Sequence, residues 1–293
     1  MKWLNYHHLY YFRTIAKEGS IAGAARKLRL GQPTLSTQLK QLEDSLGRRL
    51  FERKNRALFL TAAGKICLEY ADGIFRSGSE LVQVLENSAL SGRTDIKIGA
   101  LDSVPKNLLV SLVGALLKEE NCNISVLEGR ADELFRELFS HQIDLLVTNF
   151  PPDMDSEKTY SISLAKASVS IFGAKKFSKL KRGFPACLDG QPFILPTRHS
   201  KLRHDLDHFF SVNRLRIIPI AETEDTSLQK LLGIEGFGLL PLPDFSVKDL
   251  VKSKTLSKLG TFQGVKEEFW LTSAVRKIEN PLTTKIMKSF RFT

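Results

Sequence analysis

Cysteine is scarce in this 293-residue chain. The three present, Cys67, Cys122 and Cys187, lie far apart and form no C-x-x-C pair. An odd, dispersed set is not a disulfide framework, and each reads as a small, mostly buried hydrophobe. Long apolar runs are missing too, since no window offers the ~20 residues a membrane span requires. The opening Met1-Lys2-Trp3-Leu4-Asn5-Tyr6-His7-His8 lacks the apolar stretch of a signal peptide, so a cytoplasmic location is expected. With 19 glycines and 11 prolines, neither a collagen-like nor a low-complexity architecture fits. Catalytic signatures are equally absent. There is no G-x-S-x-G elbow, Walker A loop or H-E-x-x-H pair, and Gly236-Phe237-Gly238 is a lone fragment that reads as a turn before a strand. His204 and His208 share one helix face, but no third ligand accompanies them. No enzyme, resident cofactor or metal is expected.

Positive charge is what the chain has in excess, and it is unevenly placed. The net charge is +11. Residues 1–64 hold 12 basic side chains against four acidic ones, so this segment carries +8 and the other 229 residues only +3. A basic head on a nearly neutral body points to a polyanion contacted by the head. The length favours two or three domains.

The head reads as three short helices and a wing. Residues 6–17 place Leu9, Phe12, Ile15 and Ala16 at helical spacing behind Asn5, a capping residue. Gly19 ends that helix and Ser20 caps the next, whose stripe is Ile21, Ala24, Ala25 and Leu28. The small Ala24 and Ala25 allow the close crossing that a helix-turn-helix requires. After Arg29-Leu30-Gly31, a third helix opens with Gln32-Pro33, proline being tolerated in a first turn. Leu35, Leu39, Leu42 and Leu46 share one face, and Pro33, Thr37 and Lys40 project opposite, flanked by Thr34, Ser36 and Gln41. Short hydrogen-bonding side chains on an exposed helix face suit a major groove. Leu50-Phe51 and Leu58-Phe59-Leu60 read as strands around a basic turn, Glu52-Arg53-Lys54-Asn55-Arg56. On this reading Thr34, Ser36, Thr37 and Lys40 approach bases. Gln32, Arg53, Lys54 and Arg56 hold the backbone or groove edge, with Ser20 and Pro33 beside them.

These residues resemble the N-terminal signature of the LysR-type transcriptional regulators. Ser20, Ala24-Ala25, Leu28, Gln32-Pro33, Leu35-Ser36, Leu39, Leu42-Glu43, Leu46-Gly47, Leu50-Phe51, Arg53, Leu60-Thr61 and Gly64 stand in its order and spacing. The family usually has Ser where Gly31 stands and often Arg where Thr37 stands, which changes the preferred base contact. Leu4–Phe12, Lys17–Ser20 and Phe184-Pro185-Ala186-Cys187-Leu188 are similar to the branch of that family that activates sodium/proton antiporter genes. Activation is implied by that branch alone.

A proline-free segment then runs from Thr61 to about Ser91-Gly92. Leu68, Ala71, Phe75, Gly78, Val82 and Leu85 form a heptad seam along it, expected to pack against a second helix as a dimer interface or, alternatively, inside one domain. The resemblance implies paired linker helices, giving homodimers that often assemble as homotetramers. Ser91-Gly92-Arg93-Thr94 is the expected hinge. Beyond it strands alternate with helices, which implies mainly parallel sheets wrapped by helices.

The expected architecture is an N-terminal all-α winged helix-turn-helix (1–60), a linker and dimerisation helix (61–92), and an α/β effector domain (93–293). The resemblance implies that this last domain has two Rossmann-like lobes of the periplasmic-binding-protein type 2. Lobe one would be 95–161 plus 265–293, and lobe two 162–264. In such sheets ligands sit beyond the carboxyl ends of strands. Ser103, Thr148, Asn149, Thr197 and Arg198 are expected to line the inter-lobe cleft, each being alternatively a cap or turn residue. Asp102, Glu222, Glu224 and Asp225 offer a cation site instead. The partners are then double-stranded promoter DNA and a small effector, either an ion or a small anion. A two-lobed solute-binding or transferase-like protein with an incidental basic head is the alternative.

Overall fold

The computed structural model describes residues 3–54, 57–89, 94–119, 122–152, 159–276 and 279–292. The chain forms two compact units, Met1–Val84 and Leu85–Thr293.

The first unit is the head. Helix α1 (Tyr6–Glu18) starts where the Asn5 side chain accepts hydrogen bonds from the His7 and His8 amides, at 2.9 and 3.2 Å. It stops at Gly19, whose φ of 66° a side chain would resist. Ser20 caps α2 (Ile21–Leu28) by accepting from the Gly23 amide at 3.1 Å. Helix α3 (Gln32–Leu46) carries Pro33 in its first turn and ends at Gly47. Leu35, Leu39 and Leu42 are buried with Leu9, Phe12, Ile15, Ala24 and Ala25, so the three helices share one core. Strands β1 (Phe51–Lys54) and β2 (Ala57–Leu60) pair antiparallel as the wing, in the register Phe51 to Leu60. Helix α4 (Ala62–Ala89) follows.

The heptad seam on α4 needs correcting. Ala71 is fully buried in the head's own core, with Leu68 and Phe75 packed on it. Phe75 meets the rings of Tyr6 and Tyr10 at 4.4 and 5.5 Å and lies under the Arg13 guanidinium. Gly78 also faces α1, where a Cβ would come within 2.7 Å of the Tyr6 hydroxyl. The repeat recorded a real helix–helix contact, but the partner helix belongs to the same chain. Arg13 and Lys17 bind Asp72 alongside, the latter at 3.0 Å. Burial pushes the Asp72 carboxyl up, yet these two cations hold it below the usual range. Of the expected seam, Val82 and Leu85 remain exposed. The hinge residues Ser91, Gly92 and Arg93 lie outside the described residues.

The second unit runs β3 (Thr94–Leu101), α5 (Lys106–Leu116), β4 (Cys122–Gly129), α6 (Ala131–Phe139), β5 (Leu145–Thr148), β6 (Thr159–Ala174), β7 (Pro192–Leu195), α7 (Lys201–Val212), β8 (Ile218–Glu222), α8 (Thr226–Ile234), β9 (Leu240–Pro243), α9 (Lys248–Lys252), β10 (Leu256–Ala274) and α10 (Pro281–Ser289). Six strands form one sheet in the order β4-β3-β5-β10-β6-β9, and β7 pairs with β8 beside it. The sheet is mixed rather than mainly parallel. β3 runs parallel to β4 and β5, whereas β10 is antiparallel to both β5 and β6.

The two long antiparallel strands β6 and β10 connect the lobes. Leu164, with Ala165 and Ala167, joins the core of lobe one; Val169 and Ile171 join that of lobe two. On the return, Val265 belongs to lobe two and Phe269 to lobe one. The outward passage therefore lies several residues beyond Ser161, in the middle of an unbroken strand. Register shifts between Thr261 and Lys266 loosen the ladder beside it.

Candidate nucleic-acid interface and effector cleft

On α3 the buried leucines fix which side faces out. Gln32, Pro33, Thr34, Thr37 and Lys40 are exposed, and Ser36 is half-buried. Gly31 offers no side-chain cap, and the first turn holds no acidic residue. Amides at such a helix start favour an anion such as a phosphate. Thr37 departs from the expected pattern, because its hydroxyl donates back to the Pro33 carbonyl at 3.1 Å. Ser20 keeps its hydroxyl on the Gly23 amide. Arg53 is exposed on β1. The Lys54 side chain and Arg56 lie outside the described residues.

Glu43 positions the wing, a role the sequence did not disclose. It is buried on the core side of α3. One carboxylate oxygen accepts from the Leu50 and Phe51 amides at 2.7 and 3.3 Å, and the other from Arg49 at 2.8 Å. Thr61 adds a second brace, its hydroxyl donating to the Arg49 carbonyl at 2.8 Å and accepting from the Gly64 amide at 3.0 Å. At Gly64 the α4 backbone passes so close to β1 that a Cβ would stand 2.0 Å from the Leu50 carbonyl oxygen. A chain of backbone contacts thus fixes Arg53 relative to α3.

Ile66, Tyr70, Ile74, Leu81, Val82 and Leu85 are exposed along α4. Tyr70 reaches 71% exposure, and a cavity lies beside it, lined by Gly73, Ile74 and Ser77. Six large apolar side chains on one helix, with Ile66, Tyr70 and Ile74 one turn apart, form an apolar stripe.

In the second unit, the expected cleft residues divide into those available to a ligand and those bound internally. Thr148 is fully buried at the end of β5, its hydroxyl donating to the Phe150 carbonyl at 2.7 Å. Asp225 caps α8, accepting from the Ser227 and Leu228 amides. Glu222 accepts from Arg203 at 2.8 Å; this bond, with the nearby Arg198, lowers its carboxyl pKa despite some desolvation. Asp102 and Ser103 are half-buried after β3, and Arg198 is exposed. The acidic residues do not converge on a cation, and among the described residues no group of three or more His, Cys, Asp or Glu does. An oxygen of Asp225 caps a helix, one of Glu222 binds Arg203, and Glu224 is hydrogen-bonded to Thr197.

Where side chains of the two lobes meet stands a residue that sequence reasoning missed, Glu267. It is only 8% exposed on β10, close to the passage between lobes. Asn149, from lobe one, donates to it at 3.1 Å. Lobe two presents Glu224, Asp205 and Lys201 to it. Burial, the largest influence, pushes its pKa up to about 7; Glu224 and Asp205 add to the rise, while Asn149 and Lys201 oppose it. Nearby, burial lowers the Lys230 ammonium pKa, and Lys106 adds to the fall against the opposing pull of Asp225. Thus Asn149, Thr197, Glu224 and Glu267 come together, and Lys106 of α5 faces Lys230 of α8.

Comparison with known proteins accounts for both units. Residues 6–65 match the family model of the bacterial regulatory helix-turn-helix protein, LysR family, and residues 91–290 match the LysR substrate binding domain. The transcriptional activator protein NhaR of Escherichia coli is 29% identical over 288 residues, covering 98% of this chain and 95% of that protein. The HTH-type transcriptional regulator CzcR of Bacillus thuringiensis is 33% identical over 160 residues, 54% of each. Among solved structures, Vibrio fischeri DarR in complex with DNA aligns with a TM-score of 0.55 at 19% identity, over 97% of each chain. Full-length CbnR complexed with its target DNA gives 0.53 at 20% identity, also over 97% of each. With its head and its two-lobed body both matched, the chain belongs to the LysR family of bacterial transcriptional regulators.

Proposed function

We propose that this regulator is an activator whose targets include a sodium/proton antiporter gene, working in the cytoplasm as a homodimer or homotetramer. Helix α3 enters the major groove of promoter DNA, Arg53 holds the phosphates, and the α4 stripe centred on Tyr70 joins two copies. A small effector or ion acts between the lobes, against Asn149, Thr197, Glu224 and Glu267. The observation that carries the reading is α3 itself. A buried leucine face lies opposite an exposed one, the helix start is uncapped and free of acid, and Lys40 forms no ion pair among the described residues. Similarity to NhaR along nearly the whole chain supports the activator assignment.

Footprinting of the intergenic DNA upstream of the gene, with and without added sodium, tests it. Protection of two half-sites facing the same side of the duplex is expected, with a footprint that changes length or intensity with sodium or pH. No protection at low ionic strength overturns the DNA-reading role. An unchanged footprint with sodium and pH overturns the ion as effector.

A further inference from the structure

Thr37 occupies the middle of the groove-facing side of α3. At 100° per residue it lies about 200° from Leu35, directly across the helix from the buried leucines. Its neighbours on that side are Pro33, one turn before, and Lys40, one turn after, all three exposed. A threonine there has two groups to offer, a hydroxyl and a methyl. The hydroxyl donates to the Pro33 carbonyl at 3.1 Å, a back-bond within the helix that fixes the side-chain rotamer. The proton of that hydroxyl is thereby used up, so what remains for a partner is the methyl, one helical turn from the apolar ring of Pro33, and the acceptor lone pairs of the oxygen. A hydrogen-bonding face thus carries a small apolar patch at its centre.

The major groove offers one natural counterpart to such a patch. Base edges there present hydrogen-bond donors and acceptors, and thymine alone among the four bases adds a methyl group, at C5. We infer that Thr37 selects thymine by methyl-to-methyl contact, with the Pro33 ring completing the apolar seat, and that its hydroxyl donates no hydrogen bond to a base. This rests on α3 being the groove helix. It reverses the division of labour suggested by the residue type, in which Thr37 would read a base through its oxygen.

The test uses the full chain, binding measured by fluorescence anisotropy on the footprinted duplex, and a scan replacing each thymine by uracil, which deletes only the methyl. One thymine per half-site is expected to be sensitive, its uracil analogue binding about three- to five-fold more weakly, the size of one buried methyl. Thr37→Ser removes the methyl and keeps the hydroxyl. It is expected to lose the same factor on natural DNA and to become indifferent to uracil at that position. Thr37→Val keeps a methyl and removes the hydroxyl, so affinity and uracil sensitivity are both expected to persist. Thr37 is exposed, so circular dichroism melting curves of both variants serve as a folding control. Loss of binding in Thr37→Val equal to or beyond that of Thr37→Ser overturns the inference, as does a uracil penalty that survives Thr37→Ser. If no duplex is footprinted at all, the groove role of α3 falls first and this inference with it.

Discussion

The ring of Tyr6 lies 4.4 Å from that of Phe75, tilted by 50°, and so joins the first helix of the head to the long helix α4. Tyr10 closes on the same ring edge-on, and Arg13 covers its face. Aromatic pairs of this kind add about 0.5–1.5 kcal/mol beyond the area they bury. Phe75 is therefore part of the head's structure, and the faces available to a second copy lie elsewhere on the helix.

Two substitutions separate those roles. Phe75→Ala is expected to cost the head about 2 kcal/mol, below the cost at a fully buried aromatic site, and to leave the mass of the assembly unchanged. Tyr70→Glu, at an exposed position, is expected to yield folded monomers whose melting temperature no longer depends on protein concentration. Light scattering and thermal unfolding on both variants check this; an assembly that survives Tyr70→Glu would place the dimer contact off the α4 stripe.

Why the sequence misled at this point is physical. A heptad repeat reports that one side of a helix packs against another helix, and it is silent on which one. Phe75 and Gly78 satisfy the repeat with α1, while Leu68 and Ala71 join the core of the head. The three short helices were legible because caps mark their ends: Asn5, Gly19, Ser20, Gly31 and Gly47 all sit where the structure turns. The strands linking the lobes were not. Only the ends of β6 and β10 that enter a lobe core show an apolar run, and Gly260, Gln263 and Gly264 with the register shifts erase the alternation between them. For the same reason Glu267, an acid in a polar-looking stretch, gave no sign that it is buried.

Glu43 is the second point of test. Replacing it by alanine leaves the buried Leu50 amide without an acceptor and releases Arg49. A buried unsatisfied donor costs about 1–3 kcal/mol, so Glu43→Ala is expected to lower stability by about 2–3 kcal/mol. DNA affinity is expected to fall as well, although no residue that faces the groove has changed. Glu43→Gln retains one acceptor oxygen and is expected to recover part of both losses. Chemical unfolding and anisotropy on the same samples decide; equal losses in the two variants would mean that the amides have found other partners.

In the proposed reading Arg53, exposed on β1, belongs to the phosphate side of the interface. Arg53→Ala is expected to weaken binding to specific and unrelated duplexes by a similar factor. A contact with one phosphate releases about one counterion, so the slope of log affinity against log salt should become shallower by about 0.9. Titrations between 50 and 200 mM salt measure it. An unchanged slope would show that Arg53 does not touch the backbone.

The last expectation concerns Glu267 and has a definite sign. Its carboxyl is raised from 4.5 in a free chain to about 7 in the folded protein, chiefly by burial, with Glu224 and Asp205 adding to the rise and Asn149 and Lys201 opposing it. Between those values the folded state holds a proton that the unfolded state has released. The stability this contributes is complete below pH 4.5, declines as the pH rises through about 7, and is gone above it. A shift of this size corresponds to something on the order of 3 kcal/mol. Glu267→Gln is neutral throughout and cannot follow that curve. Relative to the unsubstituted chain, the variant should therefore gain stability as pH goes from 5 to 8, and the difference between the two proteins isolates this one group from every other titration. Urea unfolding at both pH values measures it. A difference that stays constant with pH would mean that the carboxyl is already ionised at pH 5, and that Lys201 rather than burial governs its charge.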